Sequence, residues 1–418
     1  MQRFLLLTLI SAISSLMASA QYFWRGADIS WSSEMAADGK SFYNAEGEAT
    51  EINTLMHGCG MNAIRLRVWA EPTLGGWCGT QDVVEKALAA KAAGMEVMID
   101  FHYSDFFADP GRQSIPSEWN ATDIAALADC VSKHTTDVLQ ALKTAGVTPR
   151  WVQIGNETRN GMLFSTYDAA SHSWNTASGR ATGSTDASKG GGWDHYVRLS
   201  NAGYDAAKSV FPDVCCISHL DTRSSDTDLS WWFYSFKDNG GKVDMIGLSH
   251  YPMSWNASGE SAATNTGKQR NKSFMELAEK LHTNFALPVM VVETGVYCEY
   301  TTGGKEVMED LFEKCRNSDA VDGIFYWEPE QYNWWKPAIY TTIGWTNYNM
   351  CAFYNDGRPS PILDAFQPTP EESATEGIAP ITVTPRNDGS QPLFSIDGRR
   401  ANAGQHGIII SRNGKVLQ

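Results

Sequence analysis

Apolar residues in this chain come in short dense runs. Eight of them recur: FWRGADIS (23–30), NAIRLRVW (62–69), MEVMIDFH (95–102), RWVQIGNE (150–157), CCISHLD (215–221), VDMIGLSHY (243–251), PVMVVET (288–294) and GIFYWEP (323–329). Each is the length of a strand and shorter than a typical helix, so the pattern predicts buried strands. Helical periodicity follows most of them, at 46–57, 81–93, 122–144, 194–209, 271–285 and 305–317. Gly60, Gly94 and Gly146 stand just past three of these segments, where a helix needs a C-terminal cap. Strands alternating with helices imply βαβ units and parallel pairing. Eight repeats predict an α/β fold of the (β/α)8 TIM-barrel type. The competing architecture, an open doubly wound sheet, normally carries a glycine-rich phosphate turn after its first strand. Here that turn reads GADISWSSE. A barrel puts function at the C-terminal ends of its strands.

Two long connections interrupt the rhythm. Residues 158–193 follow strand four and carry Phe164, Tyr167, Trp174 and Trp193; residues 329–348 follow strand eight and carry three tryptophans. Disordered segments are poor in aromatic residues, so these loops read as functional. Beyond about residue 366 the composition changes to QPTPEESATEG, a linker, and then to short apolar pieces separated by Asp-Gly and Asn-Gly turns. At the other end, MQRFLLLTLISAISSLMASA has a basic start, an apolar stretch and a small-residue end, the pattern of a secretory leader. The expected organisation is a signal peptide at 1–20, a catalytic barrel at 21–366, a linker at 367–389 and a small β-rich C-terminal appendix at 390–418. No segment after the leader is long and apolar enough to predict a bilayer span. The expected location is therefore outside the cytoplasm, secreted, periplasmic or at the cell surface.

Charge narrows the partners. The net charge is −15 and the pI about 5.0, with no basic run, so nucleic acid is not expected. A neutral or weakly charged substrate fits better. Eight cysteines in an exported chain allow disulfides, and some bridges are expected without any pairing being assigned. Their spacing is not that of a zinc site.

The strand ends carry the chemistry. Strand two ends in Arg65, Arg67 and Trp69; strand three at His102; strand four at Asn156-Glu157; strand five at His219 and Asp221; strand six at His250-Tyr251; strand seven at Glu293; strand eight at Trp327-Glu328. Leaving so many polar groups buried and unpaired would be costly, so they imply a site on one rim. Glu157 and Glu293 end strands that face each other across a barrel mouth. Opposed carboxyls are what glycoside hydrolysis needs, one to protonate the departing oxygen and one to stabilise or attack the oxocarbenium-like carbon. Arg67 is expected to hold the nucleophile ionised, and charge on Glu293 to keep Glu157 protonated. Asn156 is expected to bond a sugar hydroxyl. Arg65 reads as structural or as a salt bridge. Glu328 and Glu330 are weaker rivals as catalysts, because the proline between them implies a turn. Asp221, Asp226 and Asp228 read as a solvated loop, and Trp334-Trp335 either as a barrel cap or as a sugar platform.

At this point the motifs GADIS, NAIRLRVWAEP, IDFHYSDFFADPGRQSIP, WVQIGNET, DMIGLSHYP, VVETG and GIFYWEP resemble, in order, those of glycoside hydrolase family 53. The resemblance runs from about 24 to 366. It implies retaining endo-hydrolysis of β-1,4-galactan, with Glu157 as acid/base and Glu293 as nucleophile. It also implies that Arg67, His102, Asn156, Tyr251 and Trp327 line the sugar site, with Asp28 and His219 as weaker members. The chain departs from the family pattern at Phe107, where tryptophan is usual, and at His250, where tyrosine is usual. Some relatives hold calcium in barrel loops; no EF-hand pattern occurs here, and no metal or other cofactor is expected. The expected partner is the polysaccharide itself, and the expected state a monomer. Two other readings stay open: a retaining barrel hydrolase of another β-linked glycan such as mannan or xylan, and a non-catalytic glycan-binding protein.

Overall fold

The computed structural model describes residues 22–72, 75–168, 170–177, 180–222, 228–253, 257–345 and 349–376, with four short strands between 393 and 417. The expected leader at 1–20 lies outside the described residues. The chain divides into two compact units, one ending at Pro368 and the other beginning at Thr369.

The first unit is a closed barrel of eight parallel strands: β1 (Trp24–Asp28), β2 (Ala63–Val68), β3 (Glu96–Phe101), β4 (Trp151–Ile154), β5 (Cys215–Asp221), β6 (Met245–His250), β7 (Val289–Thr294) and β8 (Val321–Trp327). Each strand pairs with its sequence neighbours, and β1 closes on β8 with Asp28 opposite Trp327. Helices Ile52–Gly58, Thr80–Ala92, Ile124–Thr144, Trp193–Val210, Ser230–Asp238, Glu260–Phe285 and Thr301–Arg316 follow β1 to β7, and a 3-10 turn, Pro361–Phe366, follows β8. All eight predicted strands are present. Gly60, Gly94 and Gly146 have φ of 95°, 81° and 79°, the left-handed conformation a helix terminus asks of glycine.

The barrel interior is layered. At its N-terminal end Trp24, Ala63, Met98, Trp151, Ile217, Met245, Met290, Val292 and Phe325 form a separate apolar plug. Trp24 meets Trp151 edge-on at 4.8 Å between ring centroids. Gly26 is required here, because a Cβ would lie 2.3 Å from the Phe325 ring. Side chains alternate along a strand, so the positions above the plug on the same face are known. They are Asp28 on β1, Arg65 and Arg67 on β2, Asp100 on β3, Gln153 on β4, His219 on β5 and Ser249 on β6. Above the apolar plug, the inward face therefore carries a polar layer beneath the C-terminal mouth.

β7 departs from simple alternation. With Met290 and Val292 in the plug, Glu293 would turn outward. Its pairing shifts register against β6 between Leu248 and Ser249, and against β8 between Val291 and Thr294. Irregularities of this kind bend a strand and re-aim a side chain, and Glu293 points into the barrel.

One helix was not among those expected, and another starts earlier than expected. Ser230–Asp238 is helical although SWWFYSFKD is rich in residues of modest helix propensity. The helix after β6 starts at Glu260, well before the expected 271. Its early half contains Gly267, where a Cβ would sit 2.8 Å from Val307 on the neighbouring helix. The glycine permits close helix packing there. The loop after β4 contains two small antiparallel hairpins, Gly161–Met162 with Gly183–Ser184 and Ser165–Asp168 with Ser173–Thr176. All eight cysteines are free thiols, so the expected bridges are not formed. In the second unit, four short antiparallel strands occur at Leu393–Ser395, Arg400–Ala401, Ile409–Ile410 and Val416–Leu417. Among the described residues, no helix is long and apolar enough to cross a membrane.

Candidate active site

Glu157 sits just past the end of β4 on unusual backbone. Gly155 has φ 82° and Glu157 itself φ 48°. A left-handed non-glycine residue costs about 1–3 kcal/mol and persists only where its surroundings over-determine it. Here they do. The Glu157 N–H donates to His219 Nδ1 at 3.3 Å, the Thr158 N–H to the His219 carbonyl at 2.9 Å, and Thr158 Oγ1 bonds Tyr196 Oη at 2.8 Å. The turn throws the Glu157 carboxyl across the mouth towards β7. One oxygen of Glu157, one of Glu293 and a ring nitrogen of His219 all lie within 4.8 Å of one another.

Such a trio has the spacing of cation ligands. Its other contacts argue against that use. Both nitrogens of His219 are occupied, Nε2 by Ser249 Oγ at 2.8 Å and Nδ1 by Gln153 on β4 and the Glu157 N–H just past it. The positive charge a cation would bring is already supplied to Glu293 by Arg65, whose Nη2 is 2.9 Å from Oε1.

Arg65 organises the polar layer. Fully buried, its guanidinium meets Asp28 Oδ2 at 2.7 Å, Asp100 Oδ2 at 2.9 Å and Glu293 Oε1 at 2.9 Å. It also donates to Gln153 Oε1 at 3.1 Å and Asn156 Oδ1 at 3.0 Å. This corrects the expectation for Arg67. Arg67 pairs instead with Glu328 Oε1 at 2.8 Å, and its guanidinium stacks 4.5 Å from the Phe107 ring. Both arginines face inward. The deeper of the two reaches β7, because the layer that meets Glu293 is set by barrel stagger and not by strand parity.

The two carboxyls differ in surroundings. Burial raises the pKa of Glu293, as do Asp100 and Asp28, but Arg65 and the Tyr251 hydroxyl, 3.1 Å from Oε2, favour its charge. Burial pushes Glu157 well above the ordinary carboxylate range, and charge on Glu293, Asp221 and Asp109 adds to that; the bond from Ser249 opposes it. Two carboxyls this close titrate as a pair. The cation and the phenol lie on the Glu293 side, so the last proton stays on Glu157.

The remaining expected residues divide by placement. Asp28 is fully buried and accepts from Ser30 and Arg65, so it buttresses the arginine. His102 accepts from Ala108 N–H at Nδ1 and sets Nε2 2.9 Å from Asp100 Oδ2. Burial lowers its pKa, leaving it neutral beside a carboxylate that Arg65 and His102 hold down at about 2 against the cost of burial. Asn156 donates one Nδ2 proton to the Ala108 carbonyl at 2.9 Å, and its Oδ1 is turned to Arg65. Trp327 remains partly exposed and packs edge-on against Trp31 at 5.4 Å. Phe107 continues this aromatic wall, 5.4 Å from Tyr340 and 5.6 Å from Trp345. His250 turns outward, bonds Asn271 at 2.9 Å and stacks on Phe274.

The tryptophan pair is split: Trp335 is buried with Nε1 on Asp38, and Trp334 is 44% exposed. Asp226 lies outside the described residues. Arg65 as the partner of Glu293, Asp100, Gln153 and Ser249 were not singled out from the sequence. Their signal was parity: each shares the inward face with a plug residue two or four positions earlier.

The model of the family described as Glycosyl hydrolase family 53 matches residues 24–366. An arabinogalactan endo-beta-1,4-galactanase A of Emericella nidulans is 30% identical over 75% of this chain and 86% of its own length. An arabinogalactan endo-beta-1,4-galactanase of Cellvibrio japonicus is 29% identical over 86% of this chain and 93% of its own. Among solved structures, one from a study of two fungal beta-1,4-galactanases superposes with a TM-score of 0.64 at 26% identity, over 83% of this chain and 99% of that one.

Proposed function

The chain belongs to glycosyl hydrolase family 53, and on that premise we propose that it hydrolyses internal β-1,4 bonds of galactan with retention of anomeric configuration. The observation that carries the mechanism is the unequal carboxyl pair at the barrel mouth. Glu157 and Glu293 approach within 4.8 Å. A close pair, about 5–5.5 Å between carboxyls, suits direct attack; an inverting pair leaves room for a water between them.

In the first step Glu293 attacks the anomeric carbon while Glu157 gives its proton to the departing glycosidic oxygen. One C–O bond forms to Glu293 as the glycosidic C–O bond breaks. In the second, Glu157 takes a proton from water, which attacks the same carbon and frees Glu293. Arg65 and Tyr251 keep Glu293 charged before attack. Asn156 keeps one Nδ2 proton for a sugar hydroxyl, and Trp327 offers a ring face to the sugar. Asp28, His102 and His219 act behind these groups by holding Arg65, Asp100 and Glu157.

The N-terminal leader supports an exported enzyme, with residues 21–366 as its catalytic part, 367–389 as linker and 390–418 as an appendix. The test is a time course on linear β-1,4-galactan, β-mannan and xylan. Early mixed oligosaccharides from galactan alone support the reading. Cleavage only from chain ends removes the endo assignment, and no cleavage of galactan removes the substrate.

A further inference from the structure

Ser249 lies on the inward face of β6 and is buried. Its hydroxyl is 2.7 Å from Glu157 Oε1 and 2.8 Å from His219 Nε2. The register shift beside it sets Ser249 opposite Glu293, so it stands between the two carboxyl-bearing strands.

The direction of these bonds follows from one group whose role is not in question. The backbone N–H of Glu157 can only donate, and it points at His219 Nδ1 at 3.3 Å. Gln153 Nε2 stands 3.0 Å from the same nitrogen. Nδ1 is therefore the acceptor and Nε2 carries the ring proton. That proton goes to Ser249 Oγ, and the single hydroxyl proton of Ser249 is left for Glu157 Oε1. The bonds form a loop that leaves Glu157 at its backbone and returns to its carboxyl. The other tautomer would place Nδ1–H on Asn156 Oδ1, 2.9 Å away. It would leave the Glu157 N–H facing a donor and turn the Ser249 proton away from Glu157.

We propose that Ser249, oriented by His219, is a positioning residue that keeps Oε1 of Glu157 an acceptor and so confines the acid's proton to Oε2. The inference rests on the acid/base role proposed for Glu157. Oε2 makes no hydrogen bond among the described residues, which suits the oxygen that must meet the scissile bond. The charged and titratable groups around this carboxyl are Glu293 on β7, Asp221 on β5, Asp109 after β3, and Tyr251 and His219 beside the pair. None of the first three donates a proton to it. Ser249 is the donor that stabilises its ionised form.

The test compares Ser249→Ala with the parent on galactan and on an aryl β-galactobioside whose phenolate leaves without protonation. The expected result is at least a tenfold loss of kcat/KM on galactan and at most a twofold loss on the aryl substrate. The alkaline limb of the galactan pH profile should move up by about one unit, because the carboxylate has lost its donor. Ser249→Thr, which keeps the hydroxyl, should restore the limb. Equal losses on both substrates, or an unmoved limb, overturn the proposal. Should Ser249→Ala not fold, Ser249→Cys is read by the same ratio. Glu157→Gln is the control: full activity on galactan would remove the acid assignment itself, whereas its loss together with a normal Ser249→Ala would remove only the role of Ser249.

Discussion

Replacing Arg65 with lysine keeps one positive charge in the polar layer but destroys the planar fork that binds three carboxylates and two amides at once. The Arg65 Nη2 contact to Glu293 is 2.9 Å, and a lysine ammonium engaged with Asp28 and Asp100 has no rigid second arm to reach it. A hydrogen bond to a charged group is worth about 1.5–3 kcal/mol. One pKa unit is about 1.4 kcal/mol, so the variant should raise the Glu293 pKa by about 1–2 units. In the proposed mechanism attack requires ionised Glu293, so the acid limb of kcat/KM should report that pKa in the free enzyme. Losing the stabilising contact raises it, and the limb moves to higher pH by the same amount. The assay is initial-rate hydrolysis of galactan between pH 4 and 9, with melting temperature measured alongside. Stability should fall as well, since Gln153 Oε1 loses both of its Arg65 donors, at about 1–3 kcal/mol for an acceptor left unsatisfied. Arg67→Lys is the matched comparison. It disturbs a pair with Glu328 and should leave the acid limb in place. An Arg65→Lys enzyme whose acid limb coincides with the parent's would refute the assignment of Arg65 as the cation that holds the nucleophile charged.

Three further outcomes are expected. Tyr251→Phe removes the hydroxyl 3.1 Å from Glu293 Oε2, and kcat on galactan should fall about 10- to 100-fold, the rate equivalent of one charged hydrogen bond, with little change in KM; a KM effect alone would contradict this. Glu330 is fully buried, and burial together with charge on Glu328 raises its pKa well above the ordinary carboxylate range, so it folds protonated. The unfolded chain releases that proton near its ordinary value, so this contribution to stability is full below about pH 4.5 and declines as pH rises towards the folded pKa. Glu330→Gln should therefore melt progressively higher than the parent as pH rises from 5 to 9, and a constant difference across that range would exclude this linkage. Gly203→Ala places a Cβ 2.6 Å from Tyr103 Oη and 2.8 Å from Ile154, and should destabilise by about 1–3 kcal/mol in urea titration; an unchanged midpoint would mean that the helix–barrel contact is looser than described.

The strands were legible because burial on both faces leaves an apolar run that few other elements share. The carboxyls of Glu157 and Glu293 were legible because they interrupt such runs at their C-terminal ends. The choice between Arg65 and Arg67 was not, since residues two apart share a face and only barrel stagger decides which meets β7. The inward turn of Glu293 depends on register shifts against both neighbours, which no local pattern announces. Ser249 escaped notice for a different reason. A lone serine in a strand is ordinary until its neighbours, His219 on β5 and Glu157 after β4, are brought beside it. The Ser230–Asp238 helix is held by Trp232, Phe233 and Phe236, buried against the flanking helices Trp193–Val210 and Glu260–Phe285, a case of tertiary packing overriding weak local preference.

In the proposed mechanism Glu293 forms the covalent bond to sugar while Glu157 moves the proton. A β-galactobioside activated at its leaving group and bearing fluorine at the 2-position of the reacting sugar should stall after the first step. Digestion and peptide mass analysis then locate the attached sugar. One adduct per chain is expected, on the peptide containing Val289–Thr294 and at Glu293. An adduct on Glu157 or Glu328, or none from an enzyme that still hydrolyses galactan, would contradict it.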